Sequence, residues 1–79
     1  MLHLEFTVEP FVEGNPGPHV LAAVGAVEGH GVTVEFGPFG SGCDVPADRV
    51  GVIVASLLDA AYANGATHVN IAVSPESAL

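Results

Sequence analysis

Apolar and polar residues alternate along three stretches of the chain, with the period of a strand that buries one of its faces. On this basis we predict strands over residues 2–8, 32–36 and 68–73. A shorter strand is predicted over residues 41–45, where a glycine interrupts the pattern. Residues 74–79 have little apolar surface to pack, and we expect this tail to fray.

Two other stretches carry apolar residues at helical spacing. The first helix is predicted over residues 18–28, because Pro18 suits a first helical turn and Gly29 suits a helix end. The second helix is predicted to begin at residues 46–48 and to close at Asn64-Gly65, a pair suited to a left-handed cap. Its predicted buried stripe consists of Val50, Ile53, Val54, Leu57 and Ala61.

The predicted element order, strand-helix-strand-strand-helix-strand, is that of an α+β ferredoxin-like sandwich. We expect one domain over residues 1–79, with a four-stranded antiparallel sheet in the order 4-1-3-2 and both helices on one face. The other face of the sheet is predicted to be polar and open to a ligand or to a second sheet. Its predicted residues are His3, Glu5, Thr7, Thr33, Glu35, His68 and Asn70.

The small size of the chain suggests self-association. A core of this size rarely gives more than ~3–5 kcal/mol of net stability without staples, metals or partner chains. Cys43 is the only cysteine, so an intrachain disulfide cannot form. We therefore expect a homo-oligomer, a dimer or a tetramer.

The charge balance of the chain narrows the range of partners. Arg49 is the only Lys or Arg against nine carboxylates, and the formal net charge is −8. Nucleic acids, anionic membranes and phosphorylated ligands are disfavoured, and a cationic or neutral small ligand is favoured. The sequence shows neither a signal-peptide pattern nor an apolar run of about 20 residues, so a cytoplasmic location is expected.

Two candidate chemical sites, one for a metal ion and one for a cysteine nucleophile, have little support in the sequence. His3 and His68 lie on strands expected to be neighbours, with Glu5 nearby, but no spacing typical of a zinc site supports them. Cys43 precedes a helix, yet Asp44 adjoins it and no cation is near to stabilise a thiolate. We therefore expect no metal, no cofactor and no enzymatic activity.

Three short motifs resemble those of the small thiamine-binding, YkoF-like proteins. Residues 5–10, EFTVEP, resemble the E-F-T-x-x-P opening of that family. Residues 37–41, GPFGS, resemble its G-P-[MF]-G-[TS] hairpin, with Ser41 in place of the commoner threonine. Residues 65–69, GATHV, resemble its G-A-x-x-V entry to the last strand. Element order and spacing agree from residue 2 to residue 73.

The resemblance implies a non-catalytic module that binds thiamine or its hydroxymethylpyrimidine moiety and forms homo-oligomers. Glu5 would balance the ligand's cation or accept from its amine, assisted by Thr7 and Ser41. Thr33 and Asn70, on the same predicted face, complete the candidate set. The pocket could lie on the open sheet face or in the cleft beside the helices. The alternative function is a structural or regulatory homo-oligomer without a small-molecule ligand.

Overall fold

A computed structural model describes residues 1–10, 16–37 and 40–75. The element order is βαββαβ, as predicted. In chain order the elements are β1 (Leu2–Glu9), α1 (Pro18–Glu28), β2 (Glu35–Phe36), β3 (Ser41–Val45), α2 (Val50–Ala63) and β4 (His68–Pro75). 

The four strands form one antiparallel sheet in the order β2-β3-β1-β4, which is the predicted order read from the other edge. β1 lies in the centre and pairs with β3 on one side and β4 on the other. Leu4 lies opposite Cys43 and opposite Val73 in these two pairings. Facing residues of an antiparallel pair point to the same side of the sheet, so this register decides which side chains share a face.

Both helices cover one face of the sheet, as the ferredoxin-like fold requires. The apolar side of β1 packs against residues of α1 and α2 in a single cluster. The members of this core from those three elements are Leu4, Phe6, Val8, Val20, Ala23, Val24, Val27, Ile53, Leu57 and Ala61. Three residues of the stripe predicted on α2 are fully buried, and Val50 and Val54 pack against the cluster while partly exposed.

The second strand is shorter than predicted. Among the described residues of this segment, only Glu35 and Phe36 pair with β3, and Val34 instead lies buried in the core just before the strand. The backbone N–H of Val34 donates to Oε2 of Glu28 at 3.3 Å. Because a side chain takes this donor, the alternating apolar pattern does not continue as sheet pairing.

The start of the second helix and the end of the last strand also differ in detail from the prediction. α2 begins at Val50, because a turn precedes it in which the Arg49 N–H donates to the Pro46 carbonyl at 3.0 Å. At its other end Gly65 has φ of +97°, the left-handed conformation that was predicted. β4 continues through residues 74–75, which were expected to fray, because the start of β1 supplies pairing partners for them. The rest of that tail, 76–79, lies outside the described residues.

Neither helix of the described ranges has the length and apolar character needed to cross a membrane.

Candidate ligand-binding groove

A groove of about 510 Å³ lies on the sheet face that the helices leave open. Its volume falls within the ~300–1,000 Å³ typical of small-molecule sites. We call it the open-face groove, and its lining residues are His3, Glu5, Phe6, Thr7, Glu35, Phe36, Gly37, Gly40, Ser41, Gly42, Asn70, Ile71 and Ala72. Of the two locations that the sequence left open, this cavity occupies the sheet face.

Gly42 forms the floor of the open-face groove between two carboxylates. It lies opposite Glu5 of β1 and opposite Glu35 of β2. All three positions therefore face the open side, and the middle one carries no side chain. A Cβ atom added to Gly42 would lie 3.4 Å from Cε1 and Nε2 of His3. Residue 42 therefore does not fill the space between Glu5 and Glu35, and the His3 ring borders this space.

His3 connects the groove to a third carboxylate. Its Nε2 lies 3.1 Å from Oε1 of Glu5, and its Nδ1 lies 3.0 Å from Oδ1 of Asp44. Asp44 is directly opposite His3 in the register of β1 with β3. The hydrogen bond with Asp44, followed by the one with Glu5, raises the pKa of His3 above the ordinary 6.5.

Thr7 is held against the hairpin that joins β2 to β3. A Cβ atom at Gly40 would lie 2.8 Å from Cγ2 of Thr7 and 3.0 Å from the carbonyl oxygen of Phe6. The N–H of Gly37 donates to the carbonyl of Gly40 at 2.6 Å, which closes the turn. Residues 38–39 of the GPFGS motif lie outside the described residues. Because a Cβ atom at Gly40 would collide with Thr7, the second glycine of the motif is needed for the close approach of the hairpin to β1.

Four of the five predicted ligand-binding residues line the open-face groove. Glu5 and Asn70 are exposed on its surface, and Thr7 lies directly opposite Asn70. Ser41 pairs with Phe6 and is only 7% exposed, so its side chain belongs to the helix side and its backbone borders the groove. Thr33 does not line the groove, since it is exposed in the segment that precedes the shortened β2.

The sequence does not predict His3, Gly42 or Asp44 as binding residues. The first two line the groove, and Asp44 contacts His3. His3 was treated as a metal candidate, although its spacing of two from Glu5 places both on one strand face. The sequence marks Gly42 only as an interruption of the strand pattern, and Asp44 only as a neighbour of Cys43. The last two depend on the strand register, for which the sequence carries no local signal.

The structure separates the two histidines of the candidate metal site and buries the candidate nucleophile, Cys43. His3 lies opposite Ser74 in the pairing of β1 with β4, whereas His68 lies opposite Glu9 at the far end of the same pairing. Within the described ranges, no three His, Cys, Asp or Glu side chains form a group that could hold a metal ion. Cys43 is buried on the helix side, and burial followed by the charge of Asp44 raises the pKa of its thiol. A nucleophilic thiolate is disfavoured there.

Comparison with known proteins identifies the fold but no function. No protein-family model matches the sequence, and no curated protein matches it. A solved structure of a domain of unknown function, DUF77, from Bacillus cereus is similar, with a TM-score of 0.65 and 22% sequence identity. The similarity covers 92% of this chain and 71% of that chain. At this identity the likeness concerns the fold alone.

Proposed function

We propose that the open-face groove binds thiamine or its hydroxymethylpyrimidine moiety, and that the protein is a binding module without catalytic activity. The observation that supports this most directly is the pair of carboxylates, Glu5 and Glu35, on either side of Gly42. A flat ring can lie over Gly42 between them, with the His3 ring at its border. Carboxylates at both sides suit a ligand with a positive charge and hydrogen-bond donors.

Thiamine has the chemical groups that such a groove would recognise. Its thiazolium carries a permanent positive charge, and its aminopyrimidine carries a donor beside an acceptor. Glu5 would balance the cation or accept from the amine. Thr7 and Asn70, opposite each other on β1 and β4, offer a hydroxyl and an amide that can both donate and accept.

The charges of the groove favour free thiamine over its phosphate esters. Glu5 and Glu35 line it, and His3, which also lines it, contacts a third carboxylate, Asp44. Arg49, the only Lys or Arg in the sequence, donates to Nδ1 of His30 at 3.0 Å and does not line the groove. A phosphate would therefore meet repulsion without a lysine or arginine to pair with it. The same argument disfavours nucleic acids and anionic membranes as partners.

The family-like motifs support the same location. Glu5 and Thr7 come from the EFTVEP segment, whereas Gly40 and Ser41 come from the GPFGS segment more than thirty positions later. Both segments border one cavity, and Gly40 packs directly against Thr7. Motifs that are separate in the sequence thus meet at the proposed binding site.

Isothermal titration calorimetry with thiamine, hydroxymethylpyrimidine and thiamine diphosphate tests the proposal. Thiamine should bind with measurable heat, and the diphosphate should bind more weakly. Glu5→Gln keeps the size of the side chain and removes its charge. If the contact is charge-assisted, this change should cost on the order of 1.5–3 kcal/mol of binding, roughly 10- to 150-fold in affinity.

Asp59→Asn is the matched control for Glu5→Gln. Asp59 is exposed on α2 and does not line the open-face groove. The two variants change the formal charge equally, so a general effect of net charge should appear in both. Absence of heat with the wild-type protein would overturn the proposed function. Equal affinities of wild type and Glu5→Gln would overturn only the role of Glu5.

A second candidate function, a homo-oligomer without a small-molecule ligand, is favoured by one observation. β4 is an edge strand of the sheet, and Val73 on it is 45% exposed. An edge of this kind suits pairing with another chain. Ligand binding and self-association are compatible, and the calorimetry decides whether the assembly also has a ligand.

A further inference from the structure

His3 is placed so that both of its ring nitrogens face carboxylate oxygens. The distances are 3.1 Å from Nε2 to Glu5 and 3.0 Å from Nδ1 to Asp44. A carboxylate that is ionised can only accept hydrogen bonds, so each contact needs a proton on the histidine nitrogen. A neutral imidazole carries one such proton and an imidazolium carries two. Both contacts are therefore satisfied together only when His3 is positively charged.

The other elements around His3 bring no competing positive charge. β1 contributes Glu5 to its surroundings, β3 contributes Asp44, and β4 contributes the neutral Ser74 directly opposite. On β2, Glu35 faces the same side beyond Gly42. The helices lie on the other face of the sheet. Among the described residues, the charged groups that face His3 from neighbouring strands are thus carboxylates. The hydrogen bond with Asp44, followed by the one with Glu5, raises the pKa of His3, and the negative charges of the same two groups add to the effect.

His3 in its charged form already does for Glu5 what a cationic ligand would do. It supplies a positive charge to a carboxylate at the groove surface and fixes the position of Oε1. The side chain of Glu5 is nevertheless 67% exposed, so a ligand in the groove can reach the same carboxylate. Two positive groups would then compete for one negative group.

We propose that His3 is the positioning residue and internal counterion of Glu5, and that a cationic ligand exchanges with the second proton of His3. This inference rests on the proposed function, because it takes the open-face groove as the binding site. In the exchange the ligand's positive charge approaches Glu5, His3 loses one proton to solvent, and the neutral ring keeps its hydrogen bond to Asp44. The exchange leaves the net charge of the groove unchanged, because one positive charge arrives as another leaves. The ligand class this selects is an organic cation.

The exchange makes affinity depend on pH with a defined sign. Below the pKa of His3 in the free protein, binding must displace a proton, so affinity for a cation rises with pH. The limit for one displaced proton is about tenfold per pH unit. Above that pKa the proton is already absent, and affinity becomes independent of pH. An uncharged ligand should show no such rise.

Calorimetry with thiamine in buffers of different ionisation enthalpy measures the released proton directly. At about pH 6.5, near the ordinary pKa of histidine, wild-type protein should release a substantial fraction of one proton per thiamine bound, and His3→Gln should release almost none. His68→Gln is the matched control, since His68 is an exposed histidine of the same sheet that does not line the groove. This variant should release as many protons as wild type.

Proton NMR titration of the free protein tests the position of His3 without any ligand. The imidazole of His3 should titrate above the ordinary value of 6.5, and either Glu5→Gln or Asp44→Asn should lower its pKa. If neither variant changes the pKa of His3, the double contact of His3 with Glu5 and Asp44 is overturned. Thiamine binding without proton release, or with the same release in His3→Gln, would overturn the exchange and leave the proposed function standing. Absence of thiamine binding would overturn the proposed function and the exchange together. The NMR titration would still test the contacts of His3 with Glu5 and Asp44.

Discussion

Gly42 lies directly opposite Glu5 in the pairing of β1 with β3, so the carboxylate on the central strand borders a position without a side chain. Gly42→Val would place a branched side chain on the groove floor, close to the His3 ring. We expect at least a roughly tenfold loss of thiamine affinity, about 1.4 kcal/mol. Stability should be unchanged or higher, because valine suits a strand and glycine weakens one. Calorimetry and thermal unfolding of the same sample measure both effects.

The combination of weaker binding and unimpaired folding is what distinguishes a binding floor from a structural glycine. If Gly42→Val binds thiamine as tightly as wild type, the ligand does not lie over Gly42. If the variant is strongly destabilised, the glycine serves close strand packing instead.

Two other glycines should respond to alanine in opposite ways. Gly25 is exposed within α1, and a Cβ atom there would meet no atom within 4 Å. Gly25→Ala should stabilise the protein by roughly 0.5–1 kcal/mol through helix propensity. At Gly40 the same atom would lie 2.8 Å from Thr7, so Gly40→Ala should destabilise the hairpin and weaken binding. Thermal unfolding of Gly25→Ala and Gly40→Ala measures both effects. A stabilised Gly40→Ala would contradict the close packing of Gly40 against Thr7.

The fold was predictable because its long elements carry strong periodic patterns. The alternation in β1 and β4 and the stripes of α1 and α2 depend only on local spacing. The predicted start of β2, around Val34, fails at a contact with Glu28, which lies six residues earlier in the chain. Glu28 takes the N–H of Val34, and no local pattern reveals that the donor is lost to a side chain.

The candidate site was only partly predictable, because it depends on strand register. A shift of one residue moves every side chain of a strand to the other face. Ser41 shows the consequence, since it pairs with Phe6 and its side chain lies on the helix side. Glu5, Thr7 and Asn70 were placed correctly on the open face by alternation alone. The contact of His3 with Asp44 joins positions 41 residues apart, and only the register brings them together.

The Glu5–His3–Asp44 cluster should also contribute to stability in a pH-dependent way. The pKa of His3 is raised in the folded protein, so its stabilising contribution is fully present below the unfolded value of 6.5. This contribution is lost as pH rises through the folded pKa. His3→Gln should therefore cost more stability at about pH 5.5 than at about pH 8.5, with an effect below about 1 kcal/mol for so exposed a group.

Chemical denaturation of wild type and His3→Gln at the two pH values measures that difference. Salt should reduce it, since exposed ion pairs are screened. His68→Gln serves as the control for the general loss of a histidine. A difference between wild type and His3→Gln that grows towards alkaline pH would contradict the assigned charge state.

We expect the chain to self-associate through β4. This strand, His68–Pro75, occupies an edge of the sheet, and among the described residues it pairs only with β1. Its sequence, HVNIAVSP, contains no carboxylate in a chain with nine, so it is a segment where two acidic copies can meet with little repulsion. Pairing with the β4 of a second copy would satisfy its free backbone groups and cover part of the exposed Val73.

Light scattering at micromolar concentration should show a dimer or a larger oligomer for the wild-type protein. Val73→Lys should weaken the association by roughly tenfold or more, about 1.4 kcal/mol, because it places a charge in the proposed contact. Val52→Lys is the matched control, since Val52 is exposed to a similar degree, 51% against 45%, but lies on α2. Higher salt should strengthen the association by screening the repulsion between acidic copies. A wild-type protein that remains monomeric would contradict self-association, and equal effects of the two lysine variants would exclude β4 as the contact.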